Sequence, residues 1–157
     1  LGAKAVRDMA AMRKKEGGLL AKDILSRLAC VRTGKTVIAG RASSVTQEAF
    51  DRMKLRIEKL LGETIPDLPR LNQELAIHVD RCDITEELVR LDAHMVQFEQ
   101  AVQQSEPVGK TLDFLLQEMG REVNTIGSKA NDSAIAAEVV RMKAELERLR
   151  EQVQNVQ

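Results

Sequence analysis

Two glutamates, Glu118 and Glu122, lie four residues apart in residues 109–132, a segment dense in polar groups. On a helix this spacing places both carboxylates on one face, one turn apart. Carboxylate oxygens are ligands that Mg²⁺ and Mn²⁺ prefer, so the pair could share a divalent ion. The same spacing is common on ordinary helices, where it forms a solvated acidic edge, here beside Arg121. Both interpretations stay open.

A second polar pattern precedes the first. Asp83, Glu87, Arg90 and His94 follow one another at steps of four, three and four residues, which places them along one helix edge. His94 could act in catalysis, because an unperturbed imidazole transfers protons near neutral pH. The alternative is structural: an Asp83 cap, a pair between Glu87 and Arg90, and a polar residue beside a buried seam.

Three helices must position these residues. Two of them carry apolar residues at alternating steps of four and three, a spacing that predicts coiled-coil-like seams. The first seam is Ile84, Leu88, Leu91, Met95, Phe98 and Val102, and the second is Ile135, Val139, Met142, Leu146, Leu149, Val153 and Val156. Because neither seam can be buried by one isolated helix, we expect antiparallel helices, oligomerisation, and direct packing of the helix at 134–153 on that at 84–102.

The helix between them is predicted from about Thr111 to Thr125. Its buried stripe is Leu112, Leu115, Leu116, Met119 and Val123. One exposed edge then carries Asp113, Gln117, Arg121 and Asn124, with Glu118 and Glu122 beside it.

The N-terminal part reads as further helices. A first helix is predicted from Ala3 to about Ala39, with a kink near the glycines at 17–18. A second begins at a capping box of Ser44 and Gln47 and stops at Gly62. A third starts at Pro69, with a restart at a capping box of Asp83 and Glu86.

Composition favours an all-α protein, because the 157 residues include no Trp or Tyr and only three Phe, and few alternating β-branched runs. We expect one helical region, 1–157, that is the C-terminal part of a longer protein. The chain shows neither a transmembrane segment nor a signal peptide, so a cytoplasmic location is expected. Cys30 and Cys82 lack metal-site spacing and are expected to be reduced thiols.

The net charge is zero, but residues 1–42 carry +7 and the remainder −7. Such asymmetry indicates either a polyanion-binding face beside an acidic site, or two surfaces that pair with each other.

Four segments, in this order and spacing, resemble the C-terminal half of the YicC family of stress-induced bacterial proteins. They are KKEGG (14–18), RCDITEELVRLDAHMVQFE (81–99), GKTLDFLLQEMGREVNTIGSKAND (109–132) and VVRMKAELERLREQVQNVQ (139–157). The resemblance implies a metal-dependent endoribonuclease acting on single-stranded RNA, a hexameric ring, and an N-terminal domain that precedes this region.

The resemblance also implies roles for individual residues. Catalytic residues would be His94, Glu118 and Arg121. A divalent cation, Mn²⁺ or Mg²⁺, would be held by Glu74, Asp113, Glu118 and Glu122. RNA phosphates would be bound by Arg81, Arg90, Lys110 and Lys129. Independently of the resemblance, the +7 balance of residues 1–42 predicts that RNA is bound chiefly by Arg13, Lys14, Lys15 and their neighbours. The chain departs from the family pattern at Lys110, where Arg is usual, and at Gly120, where Asn is usual. Lys110 keeps the charge but not bidentate phosphate recognition.

Two other functions are compatible with the sequence. A non-catalytic RNA-binding adaptor would account for the basic N-terminal region, and a structural coiled-coil oligomer would account for the seams. Because aromatic residues are scarce, RNA contacts are expected mainly at phosphates, with weak sequence preference.

Overall fold

The computed structural model describes residues 2–62, 67–104 and 108–155, with side chains from residue 15 onward. These ranges contain five helices and no strand, which confirms the all-α class. The helices are α1 (Gly2–Leu61), α2 (Leu68–Cys82), α3 (Thr85–Val102), α4 (Gly109–Ala130) and α5 (Ser133–Gln154).

The first helix is a single element, so the predicted break before a capping box at Ser44 is wrong. The apolar stripe continues through Ile38, Val45 and Ala49, all of which are buried. Burial of this stripe on the other helices outweighs the weak helix propensity of Gly40, about 1 kcal/mol relative to Ala. Gln47 donates a hydrogen bond to Asp51 at 3.1 Å. The helix also continues through the glycines at 17–18.

The turn between α1 and α2 lies where the sequence predicts it, between a stop at Gly62 and a helix start at Pro69. Gly62 adopts a left-handed conformation with φ +55°, which glycine tolerates without a steric penalty. Residues 63–66 lie outside the described ranges. Asp67 then caps α2 by accepting a hydrogen bond from the Arg70 N–H at 3.4 Å, and Pro69 lies in the first turn.

The central part of α1, from Ile24 to Ala49, forms a four-helix bundle with α3, α4 and α5. Pairs between neighbours fix the directions: Arg41 meets Asp132 while Arg27 meets Glu145, so α1 and α5 are antiparallel. Arg32 with Glu99 and Lys35 with Asp92 show the same for α1 and α3. The C-terminal part of α1 packs against α2 beyond the bundle.

The predicted direct packing of α5 on α3 is wrong. Within the described ranges, the backbones of α3 and α5 do not approach closely, because α4 and α1 lie between them. The connection at Asn131 and Asp132 is short. Asn131 ends α4 with φ 44°, and Asp132 accepts a hydrogen bond from the Ile135 N–H at 2.9 Å to begin α5. Around the bundle the order is α1, α3, α4 and α5, so that α3 is diagonal to α5 and α1 is diagonal to α4.

The predicted apolar stripes are nevertheless buried. In α3 this holds for Ile84 and the next four seam residues, with Val102 partly buried. In α4 all five predicted residues are buried, and in α5 the six seam residues up to Val153 are buried. The supercoiling and the oligomer stay predictions. Cys30 and Cys82 are both free thiols, as expected.

The charge asymmetry is partly resolved inside the molecule. Four cations of the N-terminal 42 residues pair with acids of α3, α5 and the α4–α5 turn. These pairs are Arg27 with Glu145, Arg32 with Glu99, Lys35 with Asp92, and Arg41 with Asp132, at 2.8–3.3 Å. For this part of α1, the paired-surface explanation is therefore confirmed. No stretch of the described helices has the length and apolar character that a membrane crossing requires.

Candidate active site between α3 and α4

The two polar patterns of the sequence meet along the interface of α3 and α4. We call this set of residues the polar stripe: Glu87, Arg90 and His94 on α3, with Glu118, Glu122 and Lys129 on α4. The helices are antiparallel, because Arg90 pairs with Glu122 while Glu87 pairs with Lys129. Residues that are separate in sequence therefore form one continuous row of charges.

Arg90 lies at the centre of the polar stripe. Its Nε donates a hydrogen bond to Glu122 Oε1 at 2.9 Å, and its Nη2 lies 3.4 Å from Glu87 Oε1. It also pairs with the exposed Glu86. The hydrogen bond to Glu122, together with the charges of all three carboxylates, raises the pKa of Arg90 above its ordinary value despite some desolvation. The guanidinium therefore keeps its charge at any physiological pH.

Glu87 is buried, with only 3% of its surface exposed. Its Oε1 accepts a hydrogen bond from Lys129 Nζ at 2.7 Å, whereas its Oε2 is buried and has no hydrogen-bond partner among the described residues. A buried charge is tolerated when it is paired, so Lys129 and Arg90 together hold this carboxylate in place.

Lys129 also connects the stripe to the start of α3, because it donates a second hydrogen bond to the backbone carbonyl of Asp83 at 3.3 Å. The predicted capping box of Asp83 and Glu86 is wrong. The Asp83 carboxylate accepts hydrogen bonds from the Thr85 hydroxyl at 2.6 Å and the Thr85 N–H at 2.9 Å, while Ile84 occupies the N-cap position. These two bonds lower the pKa of Asp83.

Glu118 and His94 occupy the next turn of the stripe. Each lies one turn further along its helix from the pair of Arg90 and Glu122, on the same side of that pair because the helices are antiparallel. Glu118 Oε1 accepts a hydrogen bond from Arg121 Nη1 at 2.7 Å. His94 Nδ1 is buried and has no hydrogen-bond partner among the described residues. An unpaired buried nitrogen costs about 1–3 kcal/mol, so a partner from outside these residues would stabilise it.

Comparison with known proteins identifies the family. Residues 38–157 match the family model described as "Endoribonuclease YicC-like, C-terminal". The chain belongs to the YicC family. It is 43% identical over 147 residues to a protein of Clostridioides difficile strain 630 named "Probable endoribonuclease YicC", covering 93% of this chain and 50% of that protein. A Haemophilus influenzae protein of the same name is 33% identical over 150 residues, covering 96% and 52%. The chain thus spans about half the length of these relatives.

The four metal ligands implied by the family resemblance do not form one cluster. Among the described residues, no three His, Cys, Asp or Glu side chains are placed to hold one ion. Asp113 lies five positions before Glu118, about 140° around the helix, and pairs with Arg150 of α5 at 3.4 Å. Glu74 is exposed on α2, outside the bundle. Only Glu118 and Glu122 share the polar stripe.

The remaining donors fit one kind of metal site. Mg²⁺ keeps several waters and is usually bound by one or two carboxylates together with substrate phosphates, rather than by a closed protein cage. Glu118 and Glu122 supply two such carboxylates, each of which also pairs with an arginine of the chain. The donor set therefore fits an open Mg²⁺ or Mn²⁺ site completed by substrate.

The predicted RNA-binding cations fall into three groups. Arg90 and Lys129 belong to the polar stripe. Lys15, Arg81 and Lys110 are exposed on α1, α2 and the first turn of α4. Arg13 and Lys14 lie in α1, but their side chains are outside the described part. The structure therefore does not gather all seven cations in one place.

The predicted set of catalytic and ligand residues omitted Glu87, which the structure places at the centre of the stripe. One signal was available, because Glu87 immediately precedes the seam residue Leu88 and lies one turn before Leu91. A carboxylate beside a buried seam requires a cation, but only the fold shows that Lys129, 42 residues away, provides it.

Proposed function

We propose that this chain forms part of an endoribonuclease that hydrolyses phosphodiester bonds of single-stranded RNA, with the polar stripe as its active site. The observation that carries the proposal is the meeting of carboxylates, cations and a histidine on one interface. The family membership and the names of the two relatives support it. Phosphodiester hydrolysis needs this combination, because negative charge develops on both the attacking and the leaving oxygen.

In this proposal Glu118 and Glu122 hold a divalent cation. When bound, such an ion lowers the pKa of water and stabilises negative charge on phosphate oxygens. Arg90 holds Glu122 in place through its 2.9 Å hydrogen bond. His94, one turn along α3 from Arg90, is proposed to transfer a proton to or from the reacting oxygens through a free ring nitrogen.

Cations orient the RNA backbone in the same proposal. The side chain of Arg121 is 71% exposed and pairs with Glu118, so its guanidinium can also contact a phosphate beside that carboxylate. Lys129 is one-third exposed and anchors a neighbouring phosphate while it neutralises Glu87. Aromatic stacking contributes little, because the chain has three Phe and no Trp or Tyr, and Phe98 is buried. Recognition is therefore weakly sequence-specific.

The resemblance supports further parts of the proposal. We propose a cytoplasmic protein that acts in RNA turnover during stress, assembles as a homo-oligomer, namely a hexamer, and uses Mn²⁺ or Mg²⁺. Exposed apolar residues, among them Leu55, Leu60 and Leu68 near the α1–α2 turn, are surfaces that such an assembly could bury.

A non-catalytic RNA-binding adaptor is the second candidate. The observation that favours it is the pairing of Glu87, Glu118 and Glu122 with cations of the chain itself, since three paired carboxylates form no preassembled metal cluster within the described ranges.

The deciding experiment uses the intact protein and an internally labelled, unstructured RNA. We expect internal cleavage with Mn²⁺ or Mg²⁺, loss of cleavage with a chelator, and recovery when the metal is restored. RNA binding without cleavage under every metal condition would favour the adaptor. Cleavage that survives the chelator would contradict the role of the metal.

A further inference from the structure

A second polar surface lies on the opposite side of α4 from the polar stripe. We call it the α4–α5 groove. It is a cleft of about 440 Å³ lined by Leu116, Gln117, Gly120, Arg121, Asn124, Lys143, Leu146, Glu147 and Arg150. Lys143, Arg150 and the two amides have no role in the proposed active site.

The charge of the groove favours an anion. Three cations, Arg121, Lys143 and Arg150, line the groove together with one acid, Glu147. Arg121 also pairs with Glu118, which lies outside this lining, at 2.7 Å. Within the described part of the chain, Lys143 has no carboxylate within 4.0 Å, and Arg150 has only a 3.4 Å contact between its Nε and Asp113 Oδ1. Lys143 and Arg150 are seven residues apart, about 10 Å along α5, so they can contact different phosphates of one strand.

The floor and the amides of the groove favour a nucleotide over a bare anion. Leu116 and Leu146 form an apolar floor, and an added Cβ at Gly120 would find no atom within 4 Å. The resulting gap lies between the amides of Gln117 and Asn124. Gln117 Nε2 donates a hydrogen bond to Asp113 Oδ2 at 3.2 Å, which leaves its second N–H and its carbonyl oxygen for a ligand. Side-chain amides carry both donors and acceptors, which is what the edge of an unpaired base requires.

Arg121 connects this groove to the polar stripe. It lines the groove, and its Nη1 donates a hydrogen bond to Glu118 Oε1 at 2.7 Å. The groove and Glu118 therefore share one arginine, which can contact a strand in the groove.

We propose that the α4–α5 groove binds a nucleotide segment of single-stranded RNA next to the cleavage site, with Lys143 and Arg150 on phosphates and Gln117 and Asn124 on a base. This inference rests on the proposed function, since it concerns the substrate of the polar stripe.

The test compares two variants of α5 in the intact protein. The groove variant is Lys143→Gln with Arg150→Gln. The matched control is Arg141→Gln with Arg148→Gln, which removes the same charge at the same seven-residue spacing. Arg141 and Arg148 pair with Glu138 and Glu145 and line the surface between α5 and α1 instead.

The measurement is binding of a fluorescent oligouridylate across salt concentrations from about 50 to 200 mM. We expect the groove variant to bind at least about tenfold more weakly and its log–log salt slope to fall by about 1.4, or about 0.7 for each lost phosphate contact on a single strand. The affinity of the control should stay within about twofold of wild type. Such a difference between the two variants would arise from local contacts and not from net charge. Equal losses in both variants would reduce the effect to net charge and overturn the inference.

A second pair of variants guards against misfolding. Gly120→Glu and Gly120→Gln differ by one charge, and neither Cβ meets another atom. Weaker RNA binding by the Glu variant than by the Gln variant is expected, and equal binding would overturn the inference. If wild type neither binds nor cleaves RNA, the proposed function fails and the groove proposal fails with it. If wild type binds and cleaves RNA while the groove variants match it, the groove proposal alone fails.

Discussion

The buried Glu87 allows a sharp test of how the polar stripe is held together. Arg90 contacts two adjacent glutamates, Glu86 and Glu87, of which one is 77% exposed in its side chain and the other 3%. Glu86→Gln and Glu87→Gln make the same chemical change at neighbouring positions. Because the two side chains differ in burial, the two substitutions should lower the free energy of unfolding by very different amounts.

The magnitudes follow from that exposure. An exposed ion pair contributes about 0–1 kcal/mol, so Glu86→Gln should change the free energy of unfolding by less than about 0.5 kcal/mol. Breaking a fully buried pair costs about 3–5 kcal/mol. Because the cations around Glu87 are 33% and 41% exposed and regain water, we expect Glu87→Gln to cost less, about 1–2 kcal/mol.

Removing the cation should cost more than removing the carboxylate. Lys129→Met leaves the buried Glu87 charge with only the 3.4 Å contact to Arg90, so we expect about 2–4 kcal/mol. A loss of 1 kcal/mol lowers the melting temperature of a domain of this size by about 2–4 °C.

Urea and thermal unfolding of the intact protein, followed by circular dichroism, measure these values. The predicted order of destabilisation is Lys129→Met, then Glu87→Gln, then Glu86→Gln. If Glu86→Gln and Glu87→Gln have equal effects, or if Lys129→Met is neutral, Glu87 is not a buried, paired carboxylate and the reasoning about the stripe is refuted.

Two further predictions concern the bundle. Gly40→Ala should stabilise the protein by up to about 1 kcal/mol, because no atom lies within 4 Å of the new Cβ, whereas Gly34→Ala should destabilise the protein by about 1 kcal/mol, because its Cβ would lie 2.7 Å from Cγ of the buried Met142. Urea unfolding of both variants measures the two effects. A Gly34→Ala variant as stable as Gly40→Ala would contradict the prediction. Hydrogen bonds from Arg41 and the Ile135 N–H lower the pKa of Asp132 in the folded protein. The ionised carboxylate therefore contributes stability that is complete above its pKa in the unfolded chain, about 3.9, and that is lost as the pH falls through the lower pKa of the folded protein. Asp132→Asn keeps the cap without the charge, and melting curves should show its deficit relative to wild type shrinking below about pH 4; a deficit that grows in acid would argue against the pair.

Periodicity predicted which residues are buried, because a helix can hide only one face and the alternation of four and three residues marks that face. The stripes on α3, α4 and α5 followed from this. The continuity of α1 did not, because Ser44 and Gln47 resemble a cap locally while the burial of Val45 and Ala49 depends on distant helices.

The order of the helices around the core could not be predicted from the spacing of apolar residues. Two matching seams do not say whether the helices are neighbours or diagonal, since both arrangements bury the same residues. The short connection at Asn131 and Asp132 makes α4 the neighbour of α5, and the packing of α4 on α3 then leaves α3 and α5 diagonal.

The site was predicted in its parts and not in its connections. Glu118, Glu122, Arg90 and His94 were identified as edges of two separate helices. The pairing of Arg90 with Glu122, across 32 residues, depends on the register of the hairpin, which no local spacing encodes. The α4–α5 groove was missed for the same reason, since Lys143 and Arg150 lie on α5 while Arg121 and the two amides lie on α4.

Single-turnover cleavage by Glu118→Gln, compared with Glu74→Gln, tests the central claim most directly. Both substitutions remove one carboxylate charge and keep the side-chain shape, but only Glu118 lies in the polar stripe. With intact secondary structure and unchanged sedimentation for both variants, we predict that metal-dependent RNA cleavage falls by orders of magnitude in Glu118→Gln and stays at the wild-type rate in Glu74→Gln. Wild-type cleavage by a folded Glu118→Gln protein would contradict the assignment of the active site to this interface.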